Sequence, residues 1–319
     1  FEKVRSIETS LVNYGFEILI GGRPLPQQSP WTLDLSLSLA MNKDVIAKLP
    51  NEARQIINSD AKIINRLGSN ALANYLLVNK GVYATDEDVP VNPATGERMK
   101  AANNKNNGYV YMQAGDPIWV DVNGDYIIDD KDKVVVGNSQ PRLTGGFNAN
   151  LRYKSFSINT NFSFTIKRDI INKALADRFA AYGNPLSKDL NGSGAITPIE
   201  AFDFWKEDHI YAKYPNPFDY IRGGTADHQV NFFRPDQTLF MEDGSFLKIN
   251  GVSISYVLPK KVLDFLRVER VQLNASVNNI YTFSKYSGVN PENVNSLGYD
   301  VSGGYPNSRN YTMGVSIDF

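Results

Sequence analysis

The chain has 319 residues, of which 42% are hydrophobic, and its 33 Lys and Arg nearly balance 34 Asp and Glu. A net charge close to zero without a basic stripe argues against a nucleic-acid partner, and the absence of cysteine excludes a disulfide framework and thiolate metal sites. No run approaches the roughly 18 consecutive apolar residues of a membrane helix, so a membrane-spanning form of this chain has to cross with strands.

The first predicted element is a long strand over residues 31–41. Its apolar side chains alternate with small or polar ones and share one face: Trp31, Leu33, Leu35, Leu37, Leu39 and Met41. A tilted strand needs about 9–11 residues to cross a bilayer, whereas strands of soluble sandwiches usually have about 5–6. The pattern therefore favours a transmembrane strand over a soluble one.

A long connection is expected over 42–110. Short apolar runs at 52–57 and 61–67 are compatible with helices, and 101–108 is a polar, Asn-rich linker.

Residues 121–132 have the ligand spacing of an EF-hand-type calcium loop. Oxygen side chains stand at positions 1, 3, 5, 9 and 12, and a main-chain carbonyl is available at position 7: Asp121, Asn123, Asp125, Asp129, Asp132 and Ile127. Tyr126 replaces the usual glycine at position 6, and Asp132 is shorter than the usual glutamate. The loop predicts a structural Ca²⁺ ion as cofactor; the alternative is a solvated acidic turn.

A hairpin of two long strands is predicted over 143–153 and 156–166, with Lys154-Ser155 as its turn. One face is apolar. The opposite face carries Ser, Asn and Thr together with Arg152, as a water-filled lumen would favour.

The connection over 167–240 is predicted to contain one or two amphipathic turns at 167–182, followed by an unusually aromatic stretch. We predict contact with a partner or cargo for six aromatic residues: Phe204, Trp205, Tyr211, Tyr214, Phe218 and Tyr220. The alternative is that this loop packs on itself. The two histidines, His209 and His228, have neither catalytic nor metal-binding spacing, so no enzyme is predicted.

The remaining strands are predicted at 252–258, 271–281 and 311–319, with a bulge around Asn250-Gly251, a short turn at 259–267 and a long connection at 282–309. Tight turns that alternate with long connections are typical of outer-membrane barrels. Aromatic residues such as Trp31 and Tyr153 at strand ends agree with interfacial girdles.

Several motifs, in this order, resemble the SusC/RagA-like family of TonB-dependent outer-membrane transporters of Bacteroidota. They are Gly115-Asp116-Pro117, Asp121-Val122-Asn123-Gly124-Asp125, Gly137-Asn138-Ser139-Gln140-Pro141, Glu242-Asp243-Gly244-Ser245-Phe246-Leu247-Lys248-Ile249, Val289-Asn290-Pro291-Glu292 and Tyr305-Pro306-Asn307-Ser308-Arg309. The closing segment resembles the signal read by barrel-assembly machinery, through Thr312, Gly314, Ile317 and Phe319.

This resemblance implies an all-β fold, a transmembrane antiparallel β-barrel of about 22 strands. The chain would supply its C-terminal seven to nine strands. The family's plug domain and TonB-contact segment are absent from this sequence, and we expect them, with an export signal, upstream. The resemblance further implies an outer-membrane location in a Gram-negative bacterium, contact with outer-membrane lipid, a SusD-like surface lipoprotein as partner, and glycan or oligopeptide cargo.

Two other readings stay open at this point. Eight strands can close on themselves, so the chain could be a self-contained small barrel that acts as an adhesin or structural anchor. A secreted, calcium-binding β-sandwich is the second.

Overall fold

The computed structural model describes residues 9–58, 63–103, 108–182, 199–217, 230–300 and 307–319. Strands dominate these residues. In chain order they are β1 Ser10–Gly22, β2 Trp31–Lys48, β3 Gln55–Asn58, β4 Ile63–Arg66, β5 Tyr75–Leu77, β6 Asn79–Val82, β7 Lys100–Asn103, β8 Gly108–Tyr111, β9 Pro117–Trp119, β10 Ile127–Ile128, β11 Lys133–Val135, β12 Leu143–Tyr153, β13 Phe156–Ile166, β14 Asp169–Ile171, β15 Met241–Asp243, β16 Phe246–Val257, β17 Arg270–Ser284 and β18 Asn310–Asp318.

Helices are short and lie between the strands. They are α1 Lys173–Tyr182, α2 Lys260–Leu266, and 3-10 turns at Pro50–Glu52, Asp86–Asp88, Asp130–Asp132, Ile199–Ala201 and Thr238–Phe240. Within the described ranges, no helix combines the length and the apolar character needed to cross a membrane.

The seven long strands form one sheet in the order β1-β2-β12-β13-β16-β17-β18. Every neighbouring pair is antiparallel, and each strand pairs with the next long strand along the chain. The sheet is therefore an up-and-down meander. In the described part of the chain β1 and β18 are its two outer edges and do not pair with each other, so the sheet is open.

The register keeps apolar and polar side chains on opposite faces across the sheet. Leu37 lies opposite Phe147, which lies opposite Phe162; one residue away, Ser36 lies opposite Asn148, which lies opposite Asn161. Because side chains alternate along a strand, this register aligns the apolar set of every strand on one side. The predicted hairpin of β12 and β13 is confirmed at its predicted bounds.

The bulge predicted around Asn250-Gly251 is also confirmed. The pairing of β16 with β13 shifts between Asn161 and Phe162, and its pairing with β17 shifts between Ile249 and Gly251. The extra residue restores Val252 to the apolar face after Leu247 and Ile249.

An aromatic row marks one end of the apolar face. Trp31 stacks on Tyr153 with ring centroids 4.3 Å apart, and Phe156 and Tyr256 follow in register on the next two strands. Rows of this kind form the interfacial girdles of membrane barrels.

The connections differ in length between the two ends of the sheet. At the end with the aromatic row they are short, at 23–30, 154–155 and 258–269, and at the opposite end they are long, at 49–142, 167–245 and 285–309. The long connections pack together into a folded layer, here called the loop layer. It holds most of the fully buried side chains, whereas the sheet itself is only partly buried.

Three predictions need correction, and one strand is absent from them. The runs at 52–57 and 61–67 are compatible with helices in sequence, but their described parts contain the short paired strands β3 and β4. Strand β2 continues to Lys48 rather than ending at Met41, and the turn at 259–267 contains α2. Strand β1 was not predicted, although Val12, Tyr14, Phe16, Ile18 and Ile20 alternate along it. The one or two amphipathic turns predicted within 167–182 correspond to α1, which is longer.

Candidate functional site

A ladder of amide and hydroxyl side chains crosses the polar face of the sheet. Asn148 donates to the Ser36 hydroxyl at 3.3 Å, and Asn161 donates to Asn148. Asn250 donates to Asn161 at 2.8 Å, and its own amide oxygen accepts from Ser163 at 3.1 Å. The bulge in β16 positions Asn250 for both bonds. These groups give the face neutral donors and acceptors rather than fixed charge.

The polar face also contains a shallow cavity of about 320 Å³ nearer the short-turn end. Its polar lining consists of amide and hydroxyl side chains: Asn150, Ser157, Asn159, Ser253, Ser255, Asn274, Ser276 and Thr312. Arg152, which we predict to face the lumen, lies on this face and donates to Asp34 at 2.7 Å, and Arg23 also contacts Asp34. The surface around the cavity can therefore hydrogen-bond a neutral polar solute.

Phe179 of α1 is the centre of an aromatic cluster in the loop layer. Its ring meets Phe204 and Tyr214 edge to face, with centroids 4.7 and 4.8 Å apart, and Phe233 at 5.6 Å. Leu76 of β5, which is fully buried, packs in the same cluster. One apolar core thus joins the 49–142 connection to the 167–245 connection.

Packing in and around this cluster determines which of the aromatic residues predicted to contact a partner or cargo are exposed. Phe204, Trp205 and Tyr214 are buried, whereas Tyr211 is 83% exposed. Trp205 donates its indole N–H to the Ala84 carbonyl at 3.2 Å. The self-packing alternative therefore describes the three buried residues, and surface contact stays a prediction for Tyr211. Phe218, Tyr220 and His228 lie outside the described residues.

A group of ion-paired side chains, which the sequence did not predict, links the 49–142 and 167–245 connections. Lys133 lies 2.8 Å from both Asp130 and Asp236, and Arg234 binds both oxygens of Asp236 at 2.7 Å. Burial alone would raise the pKa of Asp236, but its bonds and charge interactions with Arg234 and Lys133 lower it overall. The nearest sequence signal is the Arg-x-Asp spacing of Arg234 and Asp236; nothing local indicates Lys133.

Gln237, also missed, lies beside this group and is fully buried. Its amide oxygen accepts from the Trp119 indole at 2.7 Å, and its amide nitrogen donates to the Phe232 carbonyl at 2.7 Å. A buried amide with both ends bonded fixes the spacing between the segments that it joins.

The loop at 121–132 turns as a calcium loop requires. Tyr126, at position 6, has a φ of 62°, the left-handed conformation that glycine normally supplies. Asp121 holds this turn by accepting from the Gly124 and Tyr126 amides at 2.7 and 2.8 Å, and Asp125 accepts from the Ile127 amide at 2.8 Å. The carboxylates of the loop therefore bond to its own main chain at this turn.

The last two acidic positions have main-chain partners as well. Asp132 is fully buried, with its oxygens accepting from the Val122 and Asp129 amides at 2.9 and 2.8 Å. Burial raises the pKa of the Asp132 carboxyl. Asp129 accepts from the Lys131 amide at 2.7 Å and caps the 3-10 turn.

These contacts give Asp132 a role in closing the loop. The predicted ligand set consists of four aspartates together with Asn123 and the Ile127 carbonyl. Among the residues that the structure describes, no three His, Cys, Asp or Glu side chains are grouped so as to hold a metal ion. The calcium site stays a prediction.

The predicted barrel-assembly signal lies on the edge strand β18 and at the final residue. Thr312 lies opposite Ser276, Gly314 opposite Asn274 and Ile317 opposite Val271, while Phe319 follows the strand and is 90% exposed. An edge strand leaves one side of its backbone available for pairing. Recognition by assembly machinery stays a prediction.

No protein-family model matches the chain. The curated proteins to which it is similar in sequence are TonB-dependent receptors. The chain is 23% identical over 344 residues to TonB-dependent receptor P39 of Formosa agariphila, covering 100% of this chain and 31% of that protein. It is 25% identical over 323 residues to TonB-dependent receptor SusC of Bacteroides thetaiotaomicron, covering 97% of this chain and 26% of that protein. The chain thus spans less than a third of these curated relatives.

Solved structures show the same fold. The structure of the RagAB peptide transporter superposes with a TM-score of 0.67 at 20% identity, covering 98% of this chain and 30% of that one. The RagAB peptide importer in its open-open state gives a TM-score of 0.66 at 19% identity, covering 98% of this chain and 29% of that one. The open seven-stranded sheet is thus a segment of an antiparallel β-barrel wall. In sequence the chain is similar to TonB-dependent receptors, SusC among them, and in fold it is similar to the RagAB transporter.

Proposed function

We propose that this chain supplies part of the wall and the outer loops of an active importer in the outer membrane of a Gram-negative, Bacteroidota-type bacterium. The observation that carries the proposal is the two-faced sheet with one folded loop layer at a single end. Its apolar face suits lipid, its polar face suits a water-filled path, and its loop layer suits the cell exterior. Moving a solute requires no chemistry on it, so we propose no enzymatic activity.

The cargo that we propose is a glycan or an oligopeptide. Both offer many neutral donors and acceptors, which match the amide and hydroxyl groups on the polar face. The similarity to a peptide transporter supports the peptide arm of this proposal. A SusD-like surface lipoprotein would bind at the loop layer, and TonB would act through parts of the whole protein outside this sequence.

Uptake by cells that produce the complete protein tests the proposal. We would delete the gene, complement it with wild type or with Asn148→Leu/Asn161→Leu, and measure accumulation of labelled oligopeptides and oligosaccharides. Since these two asparagines bond to each other on the polar face, the double variant should lower uptake while the outer-membrane level of the protein stays unchanged. Leu37→Ile, on the opposite face, is the matched control.

Two outcomes would contradict the proposal. Wild-type protein that fails to fractionate with the outer membrane removes the location, and uptake unaffected by gene deletion removes the transport role. The adhesin or anchor alternative requires a barrel closed by this chain alone, whereas β1 and β18 are opposite edges of the described sheet.

A further inference from the structure

Helix α2 closes the β16–β17 hairpin at the short-turn end and is held there by main-chain bonds. Leu258 donates to the Val271 carbonyl at 2.9 Å immediately before the helix. After it, Arg267 takes a left-handed conformation with a φ of 55°, and Val268 donates to the Leu263 carbonyl at 3.2 Å. The helix is therefore a fixed part of the hairpin.

An apolar side of α2 has no cover within the described structure. Val262, Phe265 and Leu266 are 38%, 86% and 48% exposed, and at helical spacing they lie on one side. Lys260 and Asp264 lie on the other side, and Lys261, four residues before Phe265, lies at the boundary between the two sides. The helix is short but amphipathic, with an exposed aromatic ring as its most prominent apolar group.

The position of α2 indicates what covers this side. The helix begins four residues after Tyr256, which belongs to the aromatic row at the end of the apolar face. Amphipathic segments with aromatic and cationic residues lie at the boundary between headgroups and acyl chains. Lys260, Lys261 and Arg267 supply positive charge for phosphate headgroups, and long cationic side chains can reach past the apolar boundary to do so.

We propose that α2 is an interfacial anchor, whose Phe265 side inserts into the adjacent phospholipid leaflet while Lys260 and Lys261 contact lipid phosphates. This inference rests on the membrane placement of the sheet in the proposed function. It adds a lipid contact made by a turn, outside the strands that form the barrel wall. The anchor fixes the height of this hairpin relative to the membrane.

Spin labels at single cysteines test the anchor, because this chain contains no cysteine of its own. Phe265→Cys and Asp264→Cys would be made in the complete protein, with any cysteine elsewhere changed to serine, and reconstituted in phosphatidylethanolamine and phosphatidylglycerol vesicles. Ile254→Cys, on the apolar face two residues before Tyr256 and 40% exposed, reports the membrane placement of the sheet. Collision of each label with oxygen and with a water-soluble nickel complex would be measured. Heat-dependent gel mobility would check that each variant is folded.

We expect the oxygen-to-nickel collision ratio at residue 265 to be severalfold above that at residue 264 and below that at residue 254. Equal ratios at 265 and 264, with 254 in lipid, would overturn the anchor and leave the proposed function intact. Protection of residue 265 from both reagents would also overturn it, because protein rather than lipid then covers the helix. Nickel accessibility at residue 254 would refute the membrane placement, and the anchor with it.

Discussion

Lys133 and Asp236 form an ion pair of 2.8 Å between two long connections, and the exposed fractions of their side chains are 6% and 1%. Lys133 precedes β12 and Asp236 precedes β15, so the pair joins segments that are about 100 residues apart in sequence. Together with the Phe179 cluster, it makes the loop layer one packed unit.

Asp236→Asn should destabilise this layer by about 3–5 kcal/mol, because it leaves the buried Lys133 and the partly buried Arg234 without their shared counter-charge. Amide hydrogen exchange of the folded protein would measure the loss at the Leu77 amide, which donates to the Asp236 carbonyl. Asp208→Asn, at an exposed position, is the control. Unchanged exchange in Asp236→Asn would show that the ion pair does not stabilise the layer.

The Asp236 carboxylate should also make the stability of the loop layer sensitive to acid. Its pKa in the folded protein is below the ordinary 3.8, so its stabilising contribution is complete above that value and is lost as the pH falls toward the lowered pKa. Protection of the Leu77 amide should therefore fall as the pH is lowered from about 4 to about 2 in the wild type. The acid-dependent loss should be smaller in Asp236→Asn, and equal slopes would contradict the assignment.

Gly145 should tolerate no side chain. A Cβ there would overlap the Phe164 ring and the Ser38 carbonyl on the neighbouring strands. Gly145→Ala should lower the unfolding free energy of the barrel by about 1–3 kcal/mol, as overpacking does. Gly22→Ala, where a Cβ meets nothing within 4 Å, is the matched control. Urea titration in detergent would compare them; equal midpoints would contradict the close approach.

Two kinds of variant test the predicted calcium loop: those that remove a ligand and one that changes the residue at its turn. Asp121→Ala and Asp125→Ala should reduce Ca²⁺ occupancy, measured by calorimetry and metal analysis, since each removes a charged ligand. Tyr126→Gly should retain or increase occupancy, because glycine adopts the observed φ of 62° without steric cost. Unchanged occupancy in both aspartate variants would rule the site out.

Tyr211 and Tyr214 should respond differently to truncation. Tyr211→Ala should leave the loop layer folded, because the side chain is exposed, and should weaken capture of the proposed lipoprotein partner or cargo. Tyr214→Ala should increase protease sensitivity of the loop layer, because it removes a ring that packs on Phe179. Limited proteolysis and co-purification would separate the effects. Full capture by Tyr211→Ala would end the contact prediction for that residue.

Much of the sheet was predictable because its determinants are local. Alternation along 143–153 and 156–166 specifies two faces, and the two residues between them specify the hairpin register, which the structure reproduces pair by pair. The shift in apolar alternation between Ile249 and Val252 likewise predicts the bulge from sequence. Strand β1 carried the same alternating signal and was missed.

Short apolar runs in the loops were not decidable in this way. The apolar residues Ile56-Ile57 and those around Ile64 fit a helix or a strand equally well. These segments form strands because β3 and β4 hydrogen-bond to each other. Sequence by itself therefore determined the long two-faced strands, because a period of two is visible in consecutive residues. Only the tertiary structure decided that Phe204 and Tyr214 are core residues while Tyr211 is exposed, and that Lys133 meets Asp236. Those outcomes depend on packing between distant connections, which no local pattern encodes.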